Sequence, residues 1–268
     1  MTEIDAHCHF WRLDRGDYGW LEGQGGVLEP LRRDFTPGDY PADGAVIAVQ
    51  AADSVAETEY LLDLAARDPR IIGVVGWVDL AAPDAPAVIA RLARNPTLRG
   101  IRPMLQDIAD TDWLLTGARG DAVAAMCDHG LTFDALITAR HLDVLARFAD
   151  AHPALPIVID HAAKPQPGDP TEWRRGMARL SGNPRIMCKL SGLMTELPAA
   201  DIPGVIADLL TLFGPDRLIW GSDWPVVTLA AALADWRAIT DAALSGLPDA
   251  DRAAIMGGNA ARFYGVTP

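Results

Sequence analysis

The stretch GAVIAVQAADSVAETEYLLDLAARDPRIIGVVGWVDL (residues 44–80) contains a predicted strand, a helix and a second strand in succession. GAVIAVQA (44–51) and RIIGVVGWVDL (70–80) are nearly continuous apolar runs, as expected for parallel strands that are covered on both faces. Between them Ser54 lies three positions before Glu57, which is the pattern of a capping box at a helix N-terminus. The stretch is therefore predicted to be one βαβ unit of a parallel sheet.

The same alternation continues along the chain. Eight short apolar runs are predicted to be strands, at 3–9, 44–51, 70–80, 98–104, 131–137, 155–164, 185–193 and 217–225. Ala- and Leu-rich stretches are predicted to be helices, at 54–68, 84–95, 120–130, 139–152, 170–182, 203–214, 232–244 and 250–265. This pattern predicts a (β/α)8 TIM barrel that forms a single domain over residues 1–268. An open doubly wound sheet is the alternative, although no GxGxxG or Walker loop follows the first strand.

Residues 10–43, after the first predicted strand, lack strong periodicity. They are rich in glycine, proline, aspartate and aromatic residues, which is typical of an extended active-site loop. Charged and aromatic side chains in this loop favour a hydroxylated ligand over an apolar one.

Composition and charge disfavour several classes of partner. The formal net charge of −13 argues against nucleic acid and against an anionic membrane surface, but not against a small anionic substrate. No apolar run is long enough to span a bilayer, and the first residues are acidic rather than basic, so a cytoplasmic protein is expected. Cys8, Cys127 and Cys188 are widely spaced, which favours reduced thiols. A homo-oligomer is compatible with the sequence.

Polar side chains mark the C-terminal ends of the predicted strands, where TIM barrels carry their active sites. In chain order these are His7 and His9, Gln50, Trp77 and Asp79, Arg102, Asp134, Asp160 with His161 and Lys164, Lys189 with Ser191, and Asp223 with Trp224. The strand interiors are almost wholly apolar, so this concentration of ionisable groups indicates a functional site.

His7 and His9 lie two residues apart, so their side chains are predicted to point to the same side of the first strand. Alone, the pair is better explained by two structural or loop histidines. The presence of His161 and Asp223 at other strand ends favours a shared functional site.

Six motifs together resemble the amidohydrolase superfamily, and more narrowly its branch of sugar-acid lactonases. They are DAHCHFW (5–11), LRGIRPM (98–104), DHAAKP (160–165), CKLSGL (188–193), WGSDWP (220–225) and GGNAARFYG (257–265). The resemblance covers essentially the whole chain, and it implies the same barrel fold.

The resemblance also implies a set of candidate metal ligands, namely His7, His9, His161 and Asp223. Two superfamily positions differ, because Asp134 stands where many members have histidine and Arg102 stands where binuclear members often have a bridging lysine or glutamate. We therefore expect at most one ion, with Zn²⁺ the best match to imidazole and carboxylate ligands. The branch is thought to include members without metal, so metal-independent hydrolysis stays open. No organic cofactor is expected.

For lactone hydrolysis, Asp223 is the candidate general base, and His161, with His7 and His9, would polarise the carbonyl. Three cations, Lys189, Lys164 and Arg102, could bind a substrate carboxylate or polarise an oxygen. Gln50 is a further candidate for substrate binding. Trp11, Trp20, Trp77 and Trp224 could pack on a sugar.

Each of these assignments has a structural alternative. Asp223 could cap the helix that follows it, and Lys164 could be a solvated loop residue. Arg102 could form an ion pair with Asp134 or Asp107. Lys189 lies in an apolar strand, where an unpaired ammonium is costly, and each tryptophan could simply pack in the core.

The predicted activity is hydrolysis of a small hydroxylated lactone, of aldono or fucono type. One alternative is a metal-dependent decarboxylase of a related branch that acts on an aromatic acid. The other is a non-catalytic barrel that binds a small molecule.

Overall fold

Eight parallel strands form one sheet in the computed structural model, which describes residues 3–23, 25–168 and 170–267. They are β1 (Ile4–Cys8), β2 (Ala45–Val49), β3 (Ile71–Gly76), β4 (Leu98–Ile101), β5 (Thr132–Ala135), β6 (Ile157–Ile159), β7 (Ile186–Leu190) and β8 (Leu218–Trp220). Each strand pairs with the next one in the sequence. All eight lie within the predicted strand segments.

The first and last strands meet at a seam, which we define as the contact between β1 and the segment that follows β8. A parallel bridge joins Cys8 to Trp224. The Asp223 amide donates to the His7 carbonyl at 2.8 Å, and the His9 amide donates to the Trp224 carbonyl at 2.7 Å. The Asp5 carboxylate accepts from the amide of Ser222 at 2.8 Å and so ties the two sides together. The sheet is thus nearly closed, and the predicted (β/α)8 barrel is confirmed.

Helices alternate with the strands, as predicted. In the described residues they are α1 (Val55–Ala65), α2 (Ala85–Leu92), α3 (Trp113–Thr116), α4 (Gly120–Asp128), α5 (Leu142–Ala151), α6 (Thr171–Ser181), α7 (Leu193–Glu196), α8 (Ile202–Phe213), α9 (Leu233–Leu244), α10 (Asp249–Ala253) and α11 (Asn259–Tyr264). The single-turn helices α3 and α7 were not predicted, because four residues are too few to show helical periodicity. Across the described ranges, no helix combines the length and apolarity that a membrane span requires.

The predicted helix 250–265 is interrupted. A π-helical turn over Ala254–Gly258 separates α10 from α11. Directly after it, the Asn259 side-chain amide donates to the carbonyls of Pro215 and Leu218, at 2.7 Å each. The turn thus places the Asn259 side chain against the start of β8. The periodicity of apolar residues did not indicate this interruption.

The loop 10–43 contains four short 3-10 turns, at Leu13–Arg15, Gly19–Leu21, Glu29–Leu31 and Pro37–Asp39. Its two ends are joined because the backbones of Trp11 and Phe35 exchange hydrogen bonds of 2.8 and 2.9 Å. Between the bridged ends, Trp20 and Leu28 contribute to the lining of the cavity described below.

Helix α1 begins as predicted but is capped differently. The Ser54 hydroxyl accepts from the amide of Glu57 at 3.0 Å. The Glu57 carboxylate does not return to the cap residue, as a capping box requires. It accepts instead from the amides of Ala51 and Ala52, at 3.0 and 2.5 Å, in the turn that follows β2.

Glu57 should make stability depend on pH. Burial raises the pKa of Glu57 to about 7. A carboxyl whose pKa is higher in the folded state makes folding less favourable as pH rises from about 4.5 to 7, since the unfolded chain releases its proton first. We expect Glu57→Gln to remove this loss, worth on the order of 3 kcal/mol in the free energy of unfolding.

The measurement is urea unfolding of the wild type and Glu57→Gln at several pH values between 4.5 and 8. Glu59→Gln is the matched control, since Glu59 is an exposed residue of the same helix. Parallel pH profiles for wild type and Glu57→Gln would contradict the prediction.

Candidate active site

The C-terminal ends of the strands surround a cavity of about 270 Å³. Its lining is His9, Trp20, Leu28, Ala51, Arg102, Met104, Gln106, Asp107, Leu136, His161, Lys164, Gly192, Thr195, Glu196, Asp223 and Val226. Six of these were predicted site residues, namely His9, Trp20, Arg102, His161, Lys164 and Asp223. The barrel therefore brings residues more than 200 positions apart to one mouth.

Three histidines surround one carboxylate oxygen. The Oδ1 atom of Asp223 lies 3.3 Å from His9 Nε2, 3.7 Å from His7 Nε2 and 3.9 Å from His161 Nε2. Burial acts to raise the pKa of Asp223, but the three imidazoles outweigh it and hold the pKa below its usual value. Asp223 is therefore a carboxylate at neutral pH.

The imidazoles of His7 and His161 are neutral at pH 7. Burial lowers the pKa of His161 to about 4. The pKa of His7 is also lowered well below its usual value, by burial and then by the charge of Lys189. Neutral imidazole is the form that can ligate a metal.

Unusual backbone conformations position both His161 and Asp223. Asp223 has φ 57°, and His161, Ala162, Ala163 and Lys164 form a run of four residues with positive φ. Non-glycine residues adopt this region rarely, and they cluster there at functional sites. Asp223 does not cap a helix through its side chain, because its carboxylate faces the histidines.

His161 is held by the segment that follows β7. The Ser191 hydroxyl lies 2.9 Å from His161 Nδ1. Gly192 has φ 65°, and a Cβ atom there would lie 2.4 Å from His161 Nδ1. Only glycine leaves the imidazole in place.

Substitution of Gly192 by alanine should therefore displace His161. A shift of about 1 Å in a catalytic group costs roughly 10²-fold in rate, so we expect kcat/KM to fall by about that factor. Gly204→Ala is the control, because nothing lies within 4 Å of a Cβ atom at Gly204. Steady-state kinetics of both variants on the substrate proposed below checks this, and equal rates would contradict it.

Lys189 lies beneath the cavity and does not line it. Its ammonium is completely buried and pairs with Asp134 Oδ2 at 2.6 Å and Asp160 Oδ1 at 3.0 Å. Burial acts to lower the pKa of Lys189, but the two carboxylates outweigh it and raise the pKa. The assignment of Lys189 to substrate contact is thus corrected, since an enclosed ammonium has no route to a ligand.

Asp134 and Asp160 complete this buried layer. Asp134 also accepts from the Tyr264 hydroxyl at 2.6 Å. Burial raises the pKa of Asp134. Burial acts in the same direction on Asp160, but the charge of Lys189 prevails and holds the pKa of Asp160 well below the usual range.

Arg102 is almost fully buried but reaches the cavity wall. Its Nη1 atom lies 3.4 Å from Asp160 Oδ2 and its Nη2 atom donates to the Gln50 carbonyl. The ion pair expected with Asp134 or Asp107 is thus made with Asp160. Gln50 does not line the cavity, and its side chain donates to the Arg102 carbonyl at 2.7 Å. Gln50 and Arg102 thus exchange hydrogen bonds, and Gln50 is not placed to contact a ligand in the cavity.

Three of the four tryptophans that were predicted to pack on a sugar lie elsewhere. Trp11 is fully buried against Phe35, and Trp224 packs on the same ring. Trp77 does not line the cavity but a neighbouring depression, which shares Met104 and Asp107 with it. Trp20 is the cavity tryptophan among the described residues, and its indole donates to the Ala51 carbonyl at 2.7 Å.

Among the acidic residues, Asp160 was predicted only as a polar residue at a strand end with no assigned role, and Glu196 was not predicted. Asp160 directly precedes His161, so its place at a strand end indicated it. Glu196 pairs with Lys164 at 3.1 Å on the cavity wall. Nothing in the sequence indicated Glu196, because it lies on the unpredicted helix α7.

The donor set fits a divalent cation. The Nδ1 atom of His9 lies 2.8 Å from the Val49 carbonyl, so in the neutral imidazole Nδ1 carries the proton and Nε2 a lone pair. That lone pair faces the Asp223 carboxylate at 3.3 Å, and a cation between the two would satisfy both.

Two groups of three side chains have potential ligand atoms within 4.8 Å of one another. They are His7, His9 and Asp223, and His7, Asp160 and His161. His7 belongs to both, so the proton position on His7 decides how either group could bind an ion.

Comparison with known proteins places the whole barrel among characterised relatives. A family model described as amidohydrolase matches residues 4–266. An L-fucono-1,5-lactonase of Burkholderia ambifaria is 45% identical, with 98% of this chain and 95% of that protein covered. An L-fucono-1,5-lactonase of Burkholderia multivorans is 40% identical, with coverage of 98% and 96%. A Burkholderia multivorans amidohydrolase crystallised with bound zinc superposes with a TM-score of 0.91 at 36% identity, over 100% of both chains.

Proposed function

The chain belongs to the amidohydrolase family, and on that premise we propose that it hydrolyses the ring ester of a small sugar-acid lactone, with L-fucono-1,5-lactone as the first candidate. The observation that carries the proposal is the cavity itself. It presents an ionised carboxylate, a neutral imidazole and a guanidinium to a space of about 270 Å³. These are the groups that ester hydrolysis requires.

In the proposed reaction, Asp223 accepts a proton from water as the water oxygen attacks the lactone carbonyl. Arg102 and His161 stabilise the negative charge that develops on the carbonyl oxygen. The tetrahedral intermediate then expels the ring oxygen, which takes up the proton held by Asp223. The product is the open hydroxy acid, and Asp223 returns to its ionised form.

The wall of the cavity supports a hydroxylated substrate. Lys164 and Glu196 form an ion pair there, and Gln106 and Thr195 lie nearby on the lining. Such groups can donate to and accept from sugar hydroxyls. Trp20 offers an aromatic surface for the ring C–H groups.

A single divalent ion would be held by ligands drawn from His7, His9, His161 and Asp223. When bound, such an ion would polarise the carbonyl and lower the pKa of a water molecule. The chain's own residues set the position of the carboxylate and exclude bulk water in either case.

The test is a panel of sugar lactones assayed with and without exhaustive chelation. We expect acid release from L-fucono-1,5-lactone well above the uncatalysed rate, and slower turnover of diastereomers that differ at one carbon. The assay is a pH-indicator measurement of the released acid. A non-catalytic binding barrel would show no rate above background on any lactone.

The same panel separates the decarboxylase alternative. An aromatic carboxylic acid should not be turned over, and activity on lactones that survives chelation would contradict an obligatory metal. CO₂ release from the aromatic acid, abolished by chelation, would instead overturn the proposed function.

A further inference from the structure

The ammonium of Lys189 has three acceptor atoms around it. Asp134 Oδ2 lies 2.6 Å from Nζ, Asp160 Oδ1 lies at 3.0 Å and His7 Nδ1 at 3.1 Å. An ammonium has three hydrogens and no lone pair, so it can only donate. The ammonium is completely buried, so bulk solvent does not compete for its hydrogens.

The third of these contacts constrains His7. A proton on Nδ1 would point at an N–H donor 3.1 Å away, whereas a lone pair on Nδ1 accepts from it. In the neutral imidazole the ring proton then resides on Nε2. That atom faces Asp223 Oδ1 at 3.7 Å.

Arg102 competes for the other ring nitrogen. Its Nη1 atom lies 3.4 Å from His7 Nε2, and it too can only donate. Asp160 Oδ2 lies at the same distance of 3.4 Å from Nη1 and accepts from it instead. Lys189 also has two carboxylates within reach, but its contact with His7 Nδ1 at 3.1 Å is shorter than the contact of Arg102 with His7 Nε2 at 3.4 Å, so the Lys189 contact sets the tautomer.

We propose that Lys189 is a positioning residue that places the proton of His7 on Nε2, which makes His7 a hydrogen-bond donor toward Asp223 and removes it from the metal ligands. The inference deepens the proposed function, because the part of the test that uses zinc assumes the single-ion site proposed above. Both groups of ligand atoms in the described residues include His7, so a bound ion would be left with His9, His161 and Asp223, which line the cavity but do not form such a group.

The experiment is a long-range ¹⁵N–¹H correlation spectrum of the full chain with ¹⁵N-labelled histidine. The chain contains six histidines, so six imidazole patterns are expected. We expect the metal-free wild type to show His7 with a protonated Nε2 and an unprotonated Nδ1. Addition of zinc alone should shift the ring nitrogens of His9 and His161 and leave the Nε2 proton of His7 in place. An unprotonated His7 Nε2, with or without zinc, overturns the proposal.

The His7 pattern is assigned by its loss in His7→Gln, or by contacts with the His161 ring, whose centroid lies 4.5 Å away. His129→Gln removes an exposed imidazole and serves as the control for the assignment. These spectra do not depend on turnover, so they can fail while the lactone panel succeeds.

A double variant tests the role of Lys189 directly. Lys189→Met with Asp134→Asn removes one positive and one negative charge and keeps the acceptor for Tyr264. We expect the His7 proton to move to Nδ1, where it faces Asp160 Oδ1 at 3.5 Å. A His7 pattern that is unchanged in the folded double variant contradicts the proposal. If the double variant does not fold, the wild-type spectrum by itself decides whether the proposal holds.

Discussion

Asp223→Asn is expected to lower kcat for lactone hydrolysis by about 10²–10⁴-fold, the contribution typical of a positioned general base. Asparagine keeps the size and much of the hydrogen bonding of the side chain but cannot accept a proton from water. The effect should fall on kcat more than on KM, because the substituted group acts on the attacking water. Steady-state kinetics on L-fucono-1,5-lactone measures both parameters.

Asp216→Asn is the matched control, since Asp216 is exposed in the turn before β8. Circular dichroism should show the same fold for both variants. Near-native turnover by Asp223→Asn would show that Asp223 is not the general base. Its role would then be to orient the surrounding histidines.

Lys189→Met is expected to lower the free energy of unfolding by about 3–5 kcal/mol, as removal of one member of a buried ion pair typically does. Methionine fills a similar volume, so the loss arises from charge rather than from a cavity. Asp134 and Asp160 would be left buried without their common cation. Urea unfolding at pH 7 measures the change.

Lys164→Met is the same substitution in a partly exposed ion pair, and it should cost no more than about 1 kcal/mol. Adding Asp134→Asn to Lys189→Met should restore part of the lost stability, because one uncompensated charge is removed with its partner. A single Lys189→Met variant as stable as the wild type would show that the buried layer is not held by this ammonium.

The barrel was predictable because each strand is a short apolar run with a helix after it. The positions of His9, His161 and Asp223 followed, since parallel strands present their C-terminal ends at one mouth. The sequence could not show how deeply each polar side chain is buried beneath the cavity. Lys189 and Arg102 both follow or lie within apolar runs, yet Lys189 is enclosed and Arg102 reaches the cavity.

The aromatic residues show the same limit. Trp11 and Trp20 lie in one loop of similar composition, and only the backbone bridge between Trp11 and Phe35 decides which of them faces the cavity. Long-range pairing of this kind leaves no local pattern. Glu196 was hidden for a related reason, because a single helical turn has no period to detect.

The seam between β1 and the segment after β8 has a consequence for how the protein is made. Its partners are separated by almost the full length of the chain, from Cys8 to Trp224. During synthesis the histidines of β1 leave the ribosome first, and Asp223 follows only after most of the chain has been translated. Activity is therefore acquired in one late step, when the two ends of the sheet meet. A nascent or truncated chain that ends before β8 contains His7, His9 and His161 but lacks Asp223.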